Sequence, residues 1–286
     1  MLTVPLPESR LSVYLVPTCA PPAAPAEAAA EQVRRHLRAP LRDRTLQLLE
    51  STLRTEVAPV DEFPALEAPW LAAFGADDAQ LRNVRAATHA IAVVNTYAPA
   101  GPAAHLWAGR AVAYALGTGL GAPVVDEALP RLVDAEQLGR SLPDAAGVVP
   151  LASWITALHS PDEHGYWCTT FGLARFGLPD LQAVDVPLAY GGLWPIVLTG
   201  LAQRLVEIWG PEIRARPGAP AAELPEVVTV SAADIRAAYG RSPAGRGAAE
   251  LRLRLDVEGP SNPPFLTVVD PDHAAVCDAL FALPDL

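Results

Sequence analysis

Lysine is absent from this sequence: all 21 of its basic residues are arginine. That absence excludes chemistry needing a lysine amine, Schiff-base catalysis and the phosphate-loop lysine among it. Cysteine is scarce. Cys19, Cys168 and Cys277 are odd in number and far apart, whereas a disulfide framework needs an even count at close spacing. They read as reduced, apolar thiols in a cytoplasmic setting. Long apolar runs are missing too. The two most apolar stretches, 86–94 and 193–201, fall far short of the roughly 20 residues a membrane-spanning helix needs. Residues 1–10 lack the basic start and apolar run of a secretory signal, so none is expected. The chain also has no G-x-S-x-G, H-E-x-x-H, C-x-x-C or Walker loop, the usual marks of nucleophilic, zinc, redox and nucleotide sites.

What is present is a chain built for a core. Its 286 residues are 51% hydrophobic and 19% charged, the balance of a packed protein with one large domain or two small ones. Frequent alanine, 30 prolines and rare asparagine are what a GC-rich bacterial genome imposes. The net charge of −11 argues against general nucleic-acid or anionic-membrane binding, because both need a positive field.

Alternation over 11–16 predicts a strand. A proline-rich connection over 17–25 leads to a helix over 26–37 that Pro40 ends. Leu46, Leu49 and Leu53 recur at helical spacing and predict a second helix over 41–55. Residues 57–78, with Pro59, Pro64 and Pro69 among acidic side chains, read as a loop or boundary. The apolar run over 88–95 suits a strand buried on both faces. A helix over 103–116 and a short strand over 122–125 follow. Residues 148–158 and 166–173 read as a hairpin with a polar turn. The strongest helix spans 193–209: Leu193, Val197, Leu201, Leu205 and Ile208 form one stripe, and Gly210 and Pro211 stop it. A strand over 226–230 precedes Ser231 and Asp234 at capping-box spacing, with Gly240 as C-cap. Strands over 251–257 and 265–269 flank a turn over 258–264, and Asp272 opens a last helix over 274–283.

βα units and hairpins together make the fold class α+β: a mixed, largely antiparallel sheet with helices packed on it as a two-layer sandwich. The expected organisation is an N-terminal βαα segment over 1–80 and a main α+β domain over 81–286. The stretches 16–21 and 94–99 share a V-x-T-x-A-P pattern between a strand and a helix, as duplicated βα units would.

Three clusters carry candidate chemistry. His159, Asp162, Glu163 and His164 place two imidazoles and two carboxylates within six residues, a donor set suited to zinc. Hairpin tips are also polar because they face water. Arg34, Arg38 and Arg42 recur every four residues and would form a basic stripe for an anion or an acidic partner, unless they simply form a solvated face. Asp270, Asp272 and His273 combine two carboxylates with an imidazole, but Asp272 sits where a helix N-cap belongs. The glycines 117, 119 and 121 follow a helix and precede a strand. That order is wrong for a nucleotide loop and right for a helix end.

Thr170, Gly172, Leu173, Phe176, Gly177, Asp180 and Leu181 form a T-x-G-L, F-G, acidic-Leu pattern. It resembles a segment of bacterial families of unknown function. The resemblance implies an α+β fold of bacterial origin and no catalytic residue. The glycines themselves indicate tight turns at a strand end.

The sequence reading favours a non-enzymatic binding or regulatory protein of immunity, adaptor or stress-accessory type, with another protein as partner and no cofactor. One alternative is a metal-assisted hydrolase built on His159, Asp162, Glu163 and His164, with zinc bound. The other is a small-molecule binder with its pocket between sheet and helices.

Overall fold

A computed structural model describes residues 1–129, 131–143, 149–243, 245–257 and 263–281. The chain is an α+β protein with two compact units, one formed by Ser9–Gly147 and the other by Met1–Glu8 with Val148–Leu286. The expected turn over 258–264 lies largely outside the described residues, as do residue 148 and the end of the 274–283 helix; the strand expected over 148–158 begins only at Thr156, because 149–155 form an irregular stretch with a 3-10 turn at Leu151–Ser153.

Strand β1 (Leu2–Pro5) belongs to the second unit. The first unit begins with β2 (Arg10–Thr18), α1 (Pro25–His36) and α2 (Leu41–Leu49). It continues with β3 (Leu53–Pro59), α3 (Ala68–Ala73), α4 (Asp78–Ala86), β4 (His89–Tyr97) and α5 (Ala103–Leu120). β5 (Val124–Asp126), β6 (Arg131–Val133) and α6 (Ala135–Arg140) complete it. Its sheet runs β3-β4-β2-β5-β6, with antiparallel neighbours throughout.

β2-α1-α2-β3 and β4-α5-β5 are thus two split βαβ arrangements interleaved in one sheet. The repeated V-x-T-x-A-P pattern spans the end of β2 and of β4 and stops in the connection, three residues short of α1 and of α5. Period-two alternation sorts the strand side chains. Tyr14, Val16, Ile91 and Val93 meet α1, α2 and α5 on one face. Leu15, Ala90, Ala92 and Val125 meet Leu71, Leu81 and Val84 of α3 and α4 on the other. β4 is therefore buried on both faces, as its apolar run requires.

The second unit contains β7 (Thr156–Asp162), β8 (Gly165–Phe171), β9 (Asp180–Val186), α7 (Trp194–Ala215) and β10 (Ala221–Leu224). β11 (Val227–Ser231), α8 (Ala232–Ala238), β12 (Ala248–Asp256), β13 (Phe265–Val268) and α9 (His273–Phe281) follow. The main sheet runs β11-β12-β13-β9-β8-β7; only β13 and β9 are parallel. β1 and β10 form a separate two-stranded ribbon.

The stripe of α7 is core: Val197, Leu201 and Leu205 are fully buried, joined by Trp194 and Trp209. Gly200 lets α8 close in, since a Cβ there would lie 2.4 Å from the Ile235 side chain. The capping box of α8 is formed in both directions. Asp234 N–H donates to Ser231 Oγ (3.2 Å), and Ser231 N–H donates to Asp234 Oδ2 (2.7 Å).

Three local expectations fail for physical reasons. The helix over 41–55 ends at Leu49 and becomes β3, because Leu53, Thr55 and Val57 also alternate at period two and that face packs on α1 and α2. Pro211 does not stop α7. The carbonyl it leaves without that helical donor belongs to exposed Glu207, on the side of the helix open to solvent. The 57–78 loop contains the end of β3, all of α3 and the start of α4, whose N-cap Asp77 forms a capping box with Gln80.

Candidate functional site

The hairpin cluster forms no joint site among the described residues. β7 and β8 pair from Thr156↔Phe171 to Asp162↔Gly165, leaving Glu163 and His164 as the turn. The strand thus extends through His159, and alternation sends His159 and Asp162 to opposite faces. The His159 ring packs edge-on against Tyr166, 4.9 Å between centroids. Asp162 Oδ1 accepts the Glu163 N–H at 2.6 Å. Cys168 points into the core, where burial pushes its thiol up to about 11. Among the described residues no group of three or more His, Cys, Asp or Glu is placed to hold a metal ion. His164→Ala is accordingly expected to leave bound metal unchanged by elemental mass spectrometry. Loss of a stoichiometric metal in that variant would overturn this reading of the turn.

The arginine spacing does not make one helical stripe. α1 ends at His36 and Leu37 is extended and buried, so Arg34 lies on α1, Arg38 in the connection and Arg42 on α2. Arg42 pairs with Asp43 at 2.8 Å, and neighbouring Arg35 pairs with Glu31 at 2.6 Å. Arg34 and Arg38 are exposed to solvent.

The T-x-G-L and acidic-Leu residues converge into a clamp. Thr170 Oγ1 donates to Asp180 Oδ1 (3.1 Å) and accepts the Leu181 N–H (2.8 Å), while the Leu173 N–H donates to the same carboxylate oxygen (3.1 Å). Gly172 and Gly177 both have positive φ, 108° and 79°, which the tight return from β8 to β9 requires. Buried Arg175 lies over the Trp154 ring at 5.6 Å. The segment closes a strand connection.

A groove of about 530 Å³ lies between β11, β12, β13 and α9. Leu251, Val268 and Val276 are buried and form an apolar floor. Ala249 on β12 and Ala275 and Ala279 on α9 line it with single methyls, which leave the space open. At the C-terminal end of α9 the chain closes down: a Cβ on Gly247 would lie 1.9 Å from the Ala279 carbonyl oxygen.

Asp270 and Asp272 are exposed and form a charged margin at the turn into α9; Glu250 and Arg252 are also exposed and line the groove, but alternation along β12 sends their side chains to the face opposite Ala249 and Leu251. Asp270 turns the chain from β13 into α9 with φ 42°, a conformation aspartate tolerates. Asp272 is the N-cap expected from its position, accepting the Ala275 N–H at 3.0 Å. The groove lining includes no serine, cysteine or histidine. Neighbouring His273 packs against Trp194 (5.0 Å between centroids); burial lowers its pKa, and Asp185 and Asp272 oppose that shift.

Sequence reasoning found Asp270 and Asp272 but missed Glu250, Arg252, Ala275 and Ala279. Their only signal was the alternation of β12, which separates Leu251 from its charged neighbours. No family model matches the chain, and neither does any curated protein or solved structure.

Proposed function

We propose that this protein is a non-enzymatic binding protein that holds a small organic molecule in the groove between β12 and α9. One observation carries the reading: a groove of about 530 Å³ with an apolar floor and a charged margin. Ligand pockets span roughly 300–1,000 Å³ and combine apolar lining with a few placed polar groups. Two of its walls are regular elements, β12 and α9, and the turn over 269–272 closes the third side.

The test is a thermal-shift screen of the full chain across a metabolite panel, repeated with Ala275→Leu. Ala275 is exposed on α9, and leucine is a good helix former there, so the variant fills the groove without opening the core. Ligands that raise the wild-type Tm are expected to lose their effect in the variant; a ligand held at 100 times its Kd contributes about 2.7 kcal/mol. Equal shifts in both proteins would refute the groove as the binding site.

A further inference from the structure

We infer that two copies of this chain associate through β11, strand against strand, about a two-fold axis at Val228. The inference does not depend on the groove. β11 is an edge: among the described residues its sheet continues only on the β12 side. The Leu253 N–H donates to the Glu226 carbonyl at 2.7 Å, and the Ala232 N–H donates to the Gly247 carbonyl at 2.9 Å. Bonded pairs alternate along an antiparallel ladder. Val228 and Val230 therefore exchange bonds with Leu251 and Ala249, while Val227 and Thr229 turn their N–H and C=O groups to the open side.

Such an edge accepts a further strand unless something blocks it. β3 carries Arg54, Glu56 and Pro59, β7 carries Pro161 and Asp162, and β6 is only three residues long. β11 reads Val-Val-Thr-Val-Ser, with no charge, proline or bulge, and its first four residues are all β-branched. The outward groups select a second copy as the occupant. With the axis at Val228, Val227 lies opposite the partner's Thr229, and each of these two symmetric pairs exchanges two bonds. Together they use every outward N–H and C=O of Val227 and Thr229 on both strands. Ser231 then falls opposite the partner's Pro225. The Ser231 N–H is already given to Asp234 Oδ2 at 2.7 Å, and proline has none to give, so the ladder ends where its donors do. An axis at Thr229 would instead leave both Val227 carbonyls unpaired. Charge agrees with the pairing. Each chain carries a net charge of −11, and the uncharged β11 is a strip where that repulsion is least. Arg252 stands beside Val227 and Glu250 beside Thr229, so in each row Arg252 of one copy and the partner's Glu250 flank the contact with opposite signs.

The experiment is sedimentation velocity of the full chain from low micromolar to submillimolar concentration, on wild type, Thr229→Pro and Thr229→Val. Hydrogen exchange of the wild-type amides is followed over the same range. A strand of five residues covers less than the roughly 800 Å² per partner of a stable interface, so a reversible dimer in the micromolar range is expected. Thr229→Pro removes an outward N–H and no bond to β12, a substitution that edge strands tolerate, and circular dichroism would confirm its fold. It should weaken the dimer about tenfold or more, because two of the four bonds are lost. Thr229→Val keeps both backbone groups and should keep the dimer. The Val227 and Thr229 amides should exchange more slowly as concentration rises, a readout that needs no variant. A monomer throughout the range would overturn the second copy as occupant and leave the edge to an extended segment of another protein. A dimer that Thr229→Pro leaves intact, or one that protects other amides but not those of Val227 and Thr229, would place the contact elsewhere and overturn the proposal.

Discussion

Asp126→Ala is expected to destabilise the Ser9–Gly147 unit by about 3–5 kcal/mol, the cost of leaving a buried charge without its partner. Arg110 and Asp126 are each 1% exposed, and Arg110 Nη2 lies 2.5 Å from Asp126 Oδ2. Arg110 Nε also donates to the Tyr14 hydroxyl at 3.3 Å, with the guanidinium 5.7 Å from the ring centroid. The pair joins α5 to the short strand β5 across the central strand β2. Domains of this size are stable by only about 5–15 kcal/mol, so one substitution removes a large share.

A second variant separates charge from packing. Replacing both partners, Arg110→Leu with Asp126→Val, takes away the desolvation cost together with the attraction, and should cost markedly less than Asp126→Ala alone. Urea unfolding followed by circular dichroism reads both. A loss below about 1 kcal/mol for Asp126→Ala would mean that water reaches the pair and that it contributes as a surface bridge does.

Asp180→Asn is expected to flatten the pH dependence of the unit that contains β8 and β9. Burial lifts the Asp180 carboxyl to about 6, although the Leu173 N–H, the Thr170 hydroxyl, the Gly172 N–H and Arg175 all favour the ionised form. Ionised Asp180 is thus the costly form in the native state. A folded pKa above the unfolded one means that its stabilisation is complete below about pH 4 and is lost as pH rises through 6. The difference is about 2–3 kcal/mol between pH 4 and pH 7.5, at 1.36 kcal/mol per unit.

Asparagine keeps an acceptor for the Leu173 N–H and removes the titration. Asp180→Ala leaves that N–H and the Thr170 hydroxyl without their acceptor and should lose stability at every pH, by about 1–3 kcal/mol. Unfolding monitored by the buried tryptophans Trp154, Trp194 and Trp209 at pH 4 and 7.5 distinguishes these outcomes. An unchanged pH profile in Asp180→Asn would show that another group sets it.

The same segment shows how far sequence reading reached. Its two glycines were legible as turns because positive φ has few other uses. The role of Asp180 was not legible, since its partners Thr170 and Leu173 lie seven to ten residues away across a turn whose shape only the folded chain defines. The hairpin tip is the converse case. His159, Asp162, Glu163 and His164 are close in sequence and looked like one donor set, yet period-two geometry sends adjacent side chains to opposite faces. Asp272 was assigned correctly because an N-cap depends only on its immediate neighbours.

The sequence by itself determined the class of this protein. Its apolar fraction made a core necessary, its periodicities set most helices and strands, and its lack of lysine removed whole chemistries. Those are properties of composition and of contacts a few residues apart. Tertiary structure alone decided that β2, β4 and β5 meet in one sheet and bury Arg110 against Asp126, and that Ala275 and Ala279 of α9 face Ala249 of β12 with a groove between them. Pairings over such separations depend on which faces must leave water together, and a linear pattern does not specify that choice.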